Sequence, residues 1–215
     1  MNKHFLCFVA CAVVLFNAAV FAQVSVSPGI VAGLSSFSQK EVWGAYSVVH
    51  DNKAGIVAGG ILDISILNLL SIEPGLAYSM RGSKIDQDLS SVGGGIVHTT
   101  FSFNYLAIPV HVKLKYPLPM IKLYALAGAN VGILLSAKKT EEMAGSPVVE
   151  TDLKDSLSTT DFGIDFGAGV EFSLPKITPF IEFVYYMGML DIEKEPNVID
   201  KSSGIEIKAG LKFKM

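Results

Sequence analysis

The sequence predicts an all-β fold: an eight-stranded antiparallel up-and-down transmembrane β-barrel, preceded by a cleavable signal peptide. Three observations predict it. The chain of 215 residues is 50% hydrophobic and only 17% charged, against ~25% charged in an ordinary soluble domain, and its mean hydropathy is +0.46. The only apolar stretch near membrane-spanning length lies at the extreme N-terminus. Beyond it, apolar residues recur with period two, the mark of strands with two different faces. This composition excludes disorder, which needs low hydrophobicity and high net charge.

The N-terminal segment reads as a leader. Met1-Asn2-Lys3-His4 is a short basic start, Phe5 to Val20 is almost wholly apolar, and Val20 and Ala22 fit positions −3 and −1 of a signal-peptidase site. The expected organisation is a signal peptide over 1–22 and one barrel domain over 23–215. Cys7 and Cys11 both fall in the leader, so the mature chain has no thiol for a disulfide, a nucleophile or a metal site. Loss of Lys3 makes the chain one unit more acidic than its formal −3. That leaves no basic patch for nucleic acid.

Eight segments alternate in order. Val24, Val26, Ile30, Ala32 and Leu34 share one parity of the first, against Ser25, Ser27, Gly29 and Gly33. The second sets Ala54, Ile56, Ala58, Leu62 and Ile64 against Gly55, Gly59 and Asp63; the third sets Ile72, Leu76 and Tyr78 against Glu73, Gly75 and Arg81. In the fourth, Leu106, Ile108, Val110, Val112 and Leu114 oppose Ala107, Pro109, His111, Lys113 and Lys115. The fifth sets Leu123, Ala125, Ala127 and Ala129 against Lys122, Tyr124 and Gly128. The sixth sets Phe162, Ile164, Phe166, Ala168 and Val170 against Asp161, Gly163, Asp165, Gly167 and Gly169. Ile181, Phe183 and Tyr185 against Glu182 form the seventh, and Ile205, Ile207, Ala209 and Leu211 against Glu206, Lys208 and Gly210 the eighth. A tilted strand of about 9–11 residues spans a bilayer, and most of these segments reach that length.

Connections alternate too. Short ones (67–71, 117–120, 175–178) are expected at one end, and long polar loops (37–52, 82–95, 138–160, 191–203) at the other. This is the layout of outer-membrane barrels, with termini and short turns periplasmic and long loops extracellular. A soluble ligand-binding barrel would show the same alternation inside out. The glycine-rich polar face suits a crowded lumen rather than a solvated surface, and the apolar face carries no charge. Tyr78, Tyr105, Tyr116, Phe172 and Tyr185 near segment ends read as interfacial aromatics.

Tyr105-Leu106-Ala107-Ile108-Pro109-Val110-His111-Val112-Lys113 resembles the YLEIP…K strand of the small porin-like outer-membrane β-barrel family, the PorT-like proteins. Glu73-Pro74-Gly75-Leu76-Ala77-Tyr78, Tyr124 to Gly128 and Gly167 to Phe172 are similar to its other recurring strands, and Ala107 stands where that family often carries Glu. The resemblance spans about residues 23–215 and implies the barrel fold. The C-terminal strand, with Gly210, Phe213 and Met215 after Lys208, is similar to the assembly signal of outer-membrane barrels, so the barrel-assembly machinery and outer-membrane lipid are the expected partners.

Inward charges are expected to form an ion-pair network of Asp63, Glu73, Lys113, Lys122, Glu171, Glu182 and Lys212 that fills the lumen. Glu171 and Glu182 should face each other across a tight turn. Two such carboxylates need a cation between them, and Lys122 and Lys212 are the expected ones. No catalysis, cofactor or metal is expected. His50, His98 and His111 are the only histidines past the leader, and His98 with Thr100 lacks a carboxylate alternating onto the same face nearby. The glycine run at 93–95 is followed by no helix and is not a phosphate loop. The expected role is structural or surface interaction through loops 37–52, which holds Trp43, and 138–160. The alternatives are a narrow porin for small solutes or, from the resemblance alone, a subunit of an envelope secretion or assembly system.

Overall fold

The computed structural model describes residues 24–43, 46–66, 69–88, 95–143, 145–191 and 198–215. Residues 1–22, expected to be a leader, lie outside the described residues, as does the side chain of Trp43. The strands are β1 (Val24–Trp43), β2 (Tyr46–Val49), β3 (Asp51–Ile66), β4 (Leu70–Asp88), β5 (Ile96–Pro117), β6 (Ile121–Met143), β7 (Val149–Asp152), β8 (Thr160–Phe172), β9 (Ile177–Gly188) and β10 (Val198–Phe213). All pairings are antiparallel between neighbours in the order β1-β3-β4-β5-β6-β8-β9-β10. β10 then pairs back onto β1 from Gly29↔Lys212 to Trp43↔Val198 and closes the ring at eight staves. Closure removes the free edges that an open sheet would present. The short β2 and β7 pair with β1 and β6 above the ends of β3 and β8.

Parity sorts the side chains as the alternation requires. Ile30, Leu34, Leu114 and Ile207 point outward and are more than half exposed, whereas Asp63, Lys113, Glu171 and Lys212 on the opposite parity are almost completely buried. An apolar residue in water would gain about 1.5–3 kcal/mol by burial. A continuous belt of exposed Val, Ile, Leu and Phe on every stave is therefore stable only where lipid replaces water. The belt is about 11 residues tall along each stave, matching a tilted strand that crosses a bilayer.

The structure corrects the expected long loops. Among the described residues, much of 37–52, 82–95, 138–160 and 191–203 is strand: β1 runs to Trp43, β4 to Asp88, β6 to Met143, and β10 starts at Val198. The apolar alternation stops where the outward face leaves lipid, at Ser36, Lys84, Asn104 and Lys138, but the backbone ladder needs no apolar side chain and continues. Loop length was read from the hydropathy pattern, which marks the edge of the belt rather than the end of the strand. One register shift, between Asn104 and Tyr105 on β5, sets an extra residue in β6. Below it Leu134 points inward; above it Ala137 does.

The inward glycines seat aromatic rings. A Cβ on Gly169 would overlap the Tyr124 ring, one on Gly163 the Tyr186 ring, one on Gly210 the Phe180 ring, and one on Gly204 the Phe37 ring. Tyr124, Phe180 and Phe37 face their glycines directly across the ladder. Gly169→Val is expected to lower unfolding stability by about 1–3 kcal/mol, as overpacking does. Gly60→Val, whose nearest foreign atom is the Gly29 carbonyl oxygen at 3.8 Å, should leave stability unchanged or raise it. Urea midpoints of the two variants refolded in lipid vesicles check this contrast.

Candidate functional site: the charged lumen

The lumen is layered, and the layer nearest the short turns is ionic. Lys212 on β10 stands at its centre. Its ammonium contacts Asp63 of β3, Glu73 Oε2 of β4 at 2.9 Å and Glu171 Oε1 of β8 at 2.7 Å. Lys115 of β5 contacts Asp63 at 2.8 Å and Glu171 at 3.3 Å, and donates to Ser65. Lys113 bridges Glu73 at 2.7 Å and Glu182 at 3.0 Å, while Lys208 bridges Glu182 at 3.1 Å and Glu206 at 3.3 Å. The Tyr124 hydroxyl donates to Glu182 at 2.8 Å. The Tyr124 and Phe180 rings face the ammonium groups of Lys113 and Lys212 at centroid distances of 4.5–6.0 Å, within reach of cation–π attraction.

Above this layer His111 Nε2 lies 2.8 Å from Asp165 Oδ2, which also accepts from Asn130. Higher still, Arg81 donates to Asp161 at 2.7 Å, and the Tyr186 hydroxyl donates to the same carboxylate at 2.6 Å. The Arg81 guanidinium is surrounded by the rings of Tyr186, Tyr105 and Phe37 at 4.1, 4.9 and 5.1 Å. Next comes an apolar layer of Phe103, Tyr105, Leu134, Ala137 and Leu157, flanked by Phe101 and Leu153. Leu153 and Leu157 come from the connection between β7 and β8, which lies against β6 through Leu153 N–H to Ala137 O and Leu134 N–H to Thr159 O. The uppermost contacts are His50 Nδ1 to Ser83 Oγ at 3.0 Å and His50 Nε2 to Glu41 at 3.5 Å.

Among the described residues, seven carboxylates (Asp63, Glu73, Asp161, Asp165, Glu171, Glu182, Glu206) and five permanent cations (Arg81, Lys113, Lys115, Lys208, Lys212) are buried in this interior. Cations alone do not balance the acids. The neutral donors Tyr124, Tyr186, Asn130, Ser65 and Ser79 supply further hydrogen bonds to them. Buried charges persist only when paired and hydrogen-bonded in this way.

Of the seven residues expected to form the network, the structure joins Asp63, Glu73, Lys113, Glu171, Glu182 and Lys212 and leaves out Lys122. Lys122 has the inward parity and faces Glu171 and Pro117 across the ladder. It sits at the rim, half-buried, with no ion pair among the described residues, because Lys115 and Lys212 occupy Glu171. Glu171 and Glu182 are not opposed either: Glu182 faces Gly169, and Glu171 faces Phe180. Each carboxylate has its own cations, so none has to stand between them. The network also contains Lys115, Lys208 and Glu206, and Arg81 forms a separate buried pair with Asp161 above it. Parity alone places Lys115 and Lys208 inside. The partners of Lys115 come from β3 and β8, strands distant in sequence, whereas Lys208 pairs with Glu182 directly across the β9–β10 ladder and with Glu206 on its own strand.

Among the aromatics, Tyr78, Tyr116, Phe172 and Tyr185 point outward, Tyr116 and Phe172 beside the short turns. Tyr78 and Tyr185 lie one outward step below Asn104 and Ser203, where the belt ends. Tyr105 is corrected: it is buried against Arg81 and Leu134, since it shares the parity of Ala107, Pro109 and His111. At the C-terminus Gly210 lies under Phe180, Phe213 points outward as the last strand residue, and Met215 is exposed beyond it. His98 does meet a carboxylate. Asp86, its ladder partner on β4, lies 2.7 Å away, supplied by a neighbouring strand rather than by alternation along its own.

Lys212→Ala is expected to cost about 3–5 kcal/mol of unfolding stability, because it strands buried carboxylates. Lys122→Ala should change stability by less than ~0.5 kcal/mol, as at an ordinary surface site. Chemical unfolding in vesicles, read by tyrosine fluorescence and by the heat-modifiable gel shift, separates the two.

The comparisons with known proteins come from sequence and from structure. A model of the family described as outer membrane protein beta-barrel domain matches residues 21–193. No curated protein matches the chain. Among solved structures, the attachment invasion locus protein Ail of Yersinia pestis is 15% identical over 88% of this chain and 99% of its own, with a TM-score of 0.42. Neisserial surface protein A is 14% identical over 86% and 97%, with a TM-score of 0.45. The outer membrane protease OmpT of Escherichia coli is 11% identical over 89% and 97%, with a TM-score of 0.48. With a matched family model that covers most of its length, the chain belongs to the outer membrane protein beta-barrel domain family.

Proposed function

We propose that this outer-membrane barrel acts as a structural or surface-interaction protein whose lumen is closed to solutes. The observation that carries the reading is the unbroken stack across the interior, from Lys212 with its three carboxylates, through Arg81 and its aromatic rings, to the apolar layer around Leu157. Eight strands enclose a space that side chains alone can fill. Passage of an ion would need several buried pairs to part together, each at a cost of several kcal/mol.

The reading places both termini and the short turns in the periplasm and the tall hairpins outside the cell. The alternation of three- and four-residue turns with strands that overshoot the belt supports this orientation. The exposed polar face of the overshoot, with Lys84, Asp86, His98, Lys138 and Glu142, is then available to partners, and the hairpins over 37–52 and 138–160 are its tips. Gly210 and Phe213 on β10 supply the features by which the assembly machinery would engage the last strand.

Two experiments test the reading. Protein refolded into planar bilayers is expected to show no steady conductance; a stable open channel would overturn the closed lumen. Both cysteines lie in the leader, so single introduced cysteines report orientation cleanly. A membrane-impermeant maleimide applied to intact cells should label Ser146→Cys and spare Ser173→Cys; the reverse pattern would invert the topology.

A further inference from the structure

We propose that the short-turn end binds a phospholipid with an anionic headgroup, its phosphate on Lys176 and Lys214 and one acyl chain in a groove on the lipid-facing wall. The two lysines are adjacent at the end of the β9–β10 ladder, where the Lys214 N–H donates to the Lys176 carbonyl at 3.1 Å. The Lys214 ammonium also donates to the Leu174 carbonyl, which fixes the side chain against the turn and leaves two of its three protons free for a ligand. Both lysines are exposed, and Lys122 lies on the same arc: β6 and the start of this turn are joined by Ser173 N–H to Met120 O. Among the described residues no Asp or Glu side chain is exposed at this end, where Asp63, Glu73 and Glu171 are all buried. Exposed carboxylates collect at the opposite end, in Asp86, Asp88, Glu142, Glu150 and Asp152.

The second observation is steric. Directly above the lysines the outer wall is indented by a groove of about 470 Å³ across β8, β9, β10 and β1. Pro179, Ala209 and Ala32 form its floor, and Phe172, Leu211 and Ile30 its sides. The pairings Pro179↔Leu211, Ala209↔Ile181 and Ala32↔Ala209 set these residues on consecutive steps that rise from the Lys176–Lys214 step. Leu211 is three residues from Lys214, about 10 Å along the strand. Lys176 and Lys214 share the lumen parity of Thr178 and Lys212 but are exposed at the rim past the last ladder step, so a phosphate held on them would sit at the end of the barrel, below an apolar slot that runs up the outer wall into the membrane. The turn tips agree with an interfacial position: Leu69, Met120 and Leu174 are exposed, with Tyr116 beside them, where a polar turn would be expected in free water.

This inference rests on the proposed orientation only for which leaflet supplies the lipid. The binding measurement does not depend on orientation, and the cysteine labelling does not depend on binding, so the two fail separately. The test is native mass spectrometry of the refolded mature chain in detergent, with phosphatidylglycerol or phosphatidylethanolamine added at equal concentration. One phosphatidylglycerol is expected to be retained about tenfold more tightly than phosphatidylethanolamine, with the preference lost in the K176Q/K214Q double variant. Ala209→Phe, which fills the groove, should weaken both lipids alike. Equal retention of the two lipids by the unaltered protein, or a preference that survives K176Q/K214Q, overturns the headgroup site. Unchanged binding in Ala209→Phe overturns the acyl slot, and so does a dimer that replaces lipid on the groove. Retained heat-modifiable mobility shows that each variant is folded.

Discussion

Closure of eight strands into a tube whose interior is one or two side chains wide is the constraint from which the rest follows. Half the residues of every stave must point into that tube, and none of them can be left hydrated as on a soluble surface. The chain meets the demand in two ways. Where the inward positions are charged, cations reach across the lumen to carboxylates on other staves, as Lys212 does to β3, β4 and β8. Where they are glycine, a ring from a neighbouring strand lies over the bare backbone. Both devices fill volume; the ion pairs of Lys212 tie together staves that share no ladder, and the rings lock neighbouring staves across theirs.

Much of the fold was legible in the sequence, because lipid outside and a packed lumen inside impose opposite chemistry on successive residues. Ile108, Val110 and Val112 against Pro109, His111 and Lys113 could be sorted by parity alone, and so could Asp63, Glu171 and Lys212. The same rule places Tyr105 inside. Its place near a segment end suggests an interfacial ring, but parity decides, and Tyr105 lies against Arg81. Hairpin height was illegible for a different reason. Past the belt the outward residues become Ser, Thr, Lys and Asp, and a polar strand there has the composition of a loop.

The pairing of the charges was the least legible part. Which inward residues share a height depends on the stagger of eight registers, and a shift of two residues separates Glu171 from Glu182. Lys122 illustrates the scale of the effect. It has the correct parity and faces Glu171 across the ladder, yet it sits at the rim, and the carboxylate is taken by lysines from β5 and β10. The contact between His98 and Asp86 was missed in the same way, since no alternation within one strand reveals what its neighbour delivers.

The position of Lys208 and Lys212 on β10 has a consequence for how the molecule comes into being. Between them these two lysines neutralise acids contributed by β3, β4, β8 and β9. Until β10 meets β1, Asp63 and Glu73 are left to Lys115 and Lys113 alone, whereas Glu182 already meets Lys208 across the β9–β10 ladder. The step that seals the seam is therefore the step that balances the charge. One ladder thus satisfies the backbone edges of β1 and β10 and brings Lys212 within reach of the acids of β3 and β4.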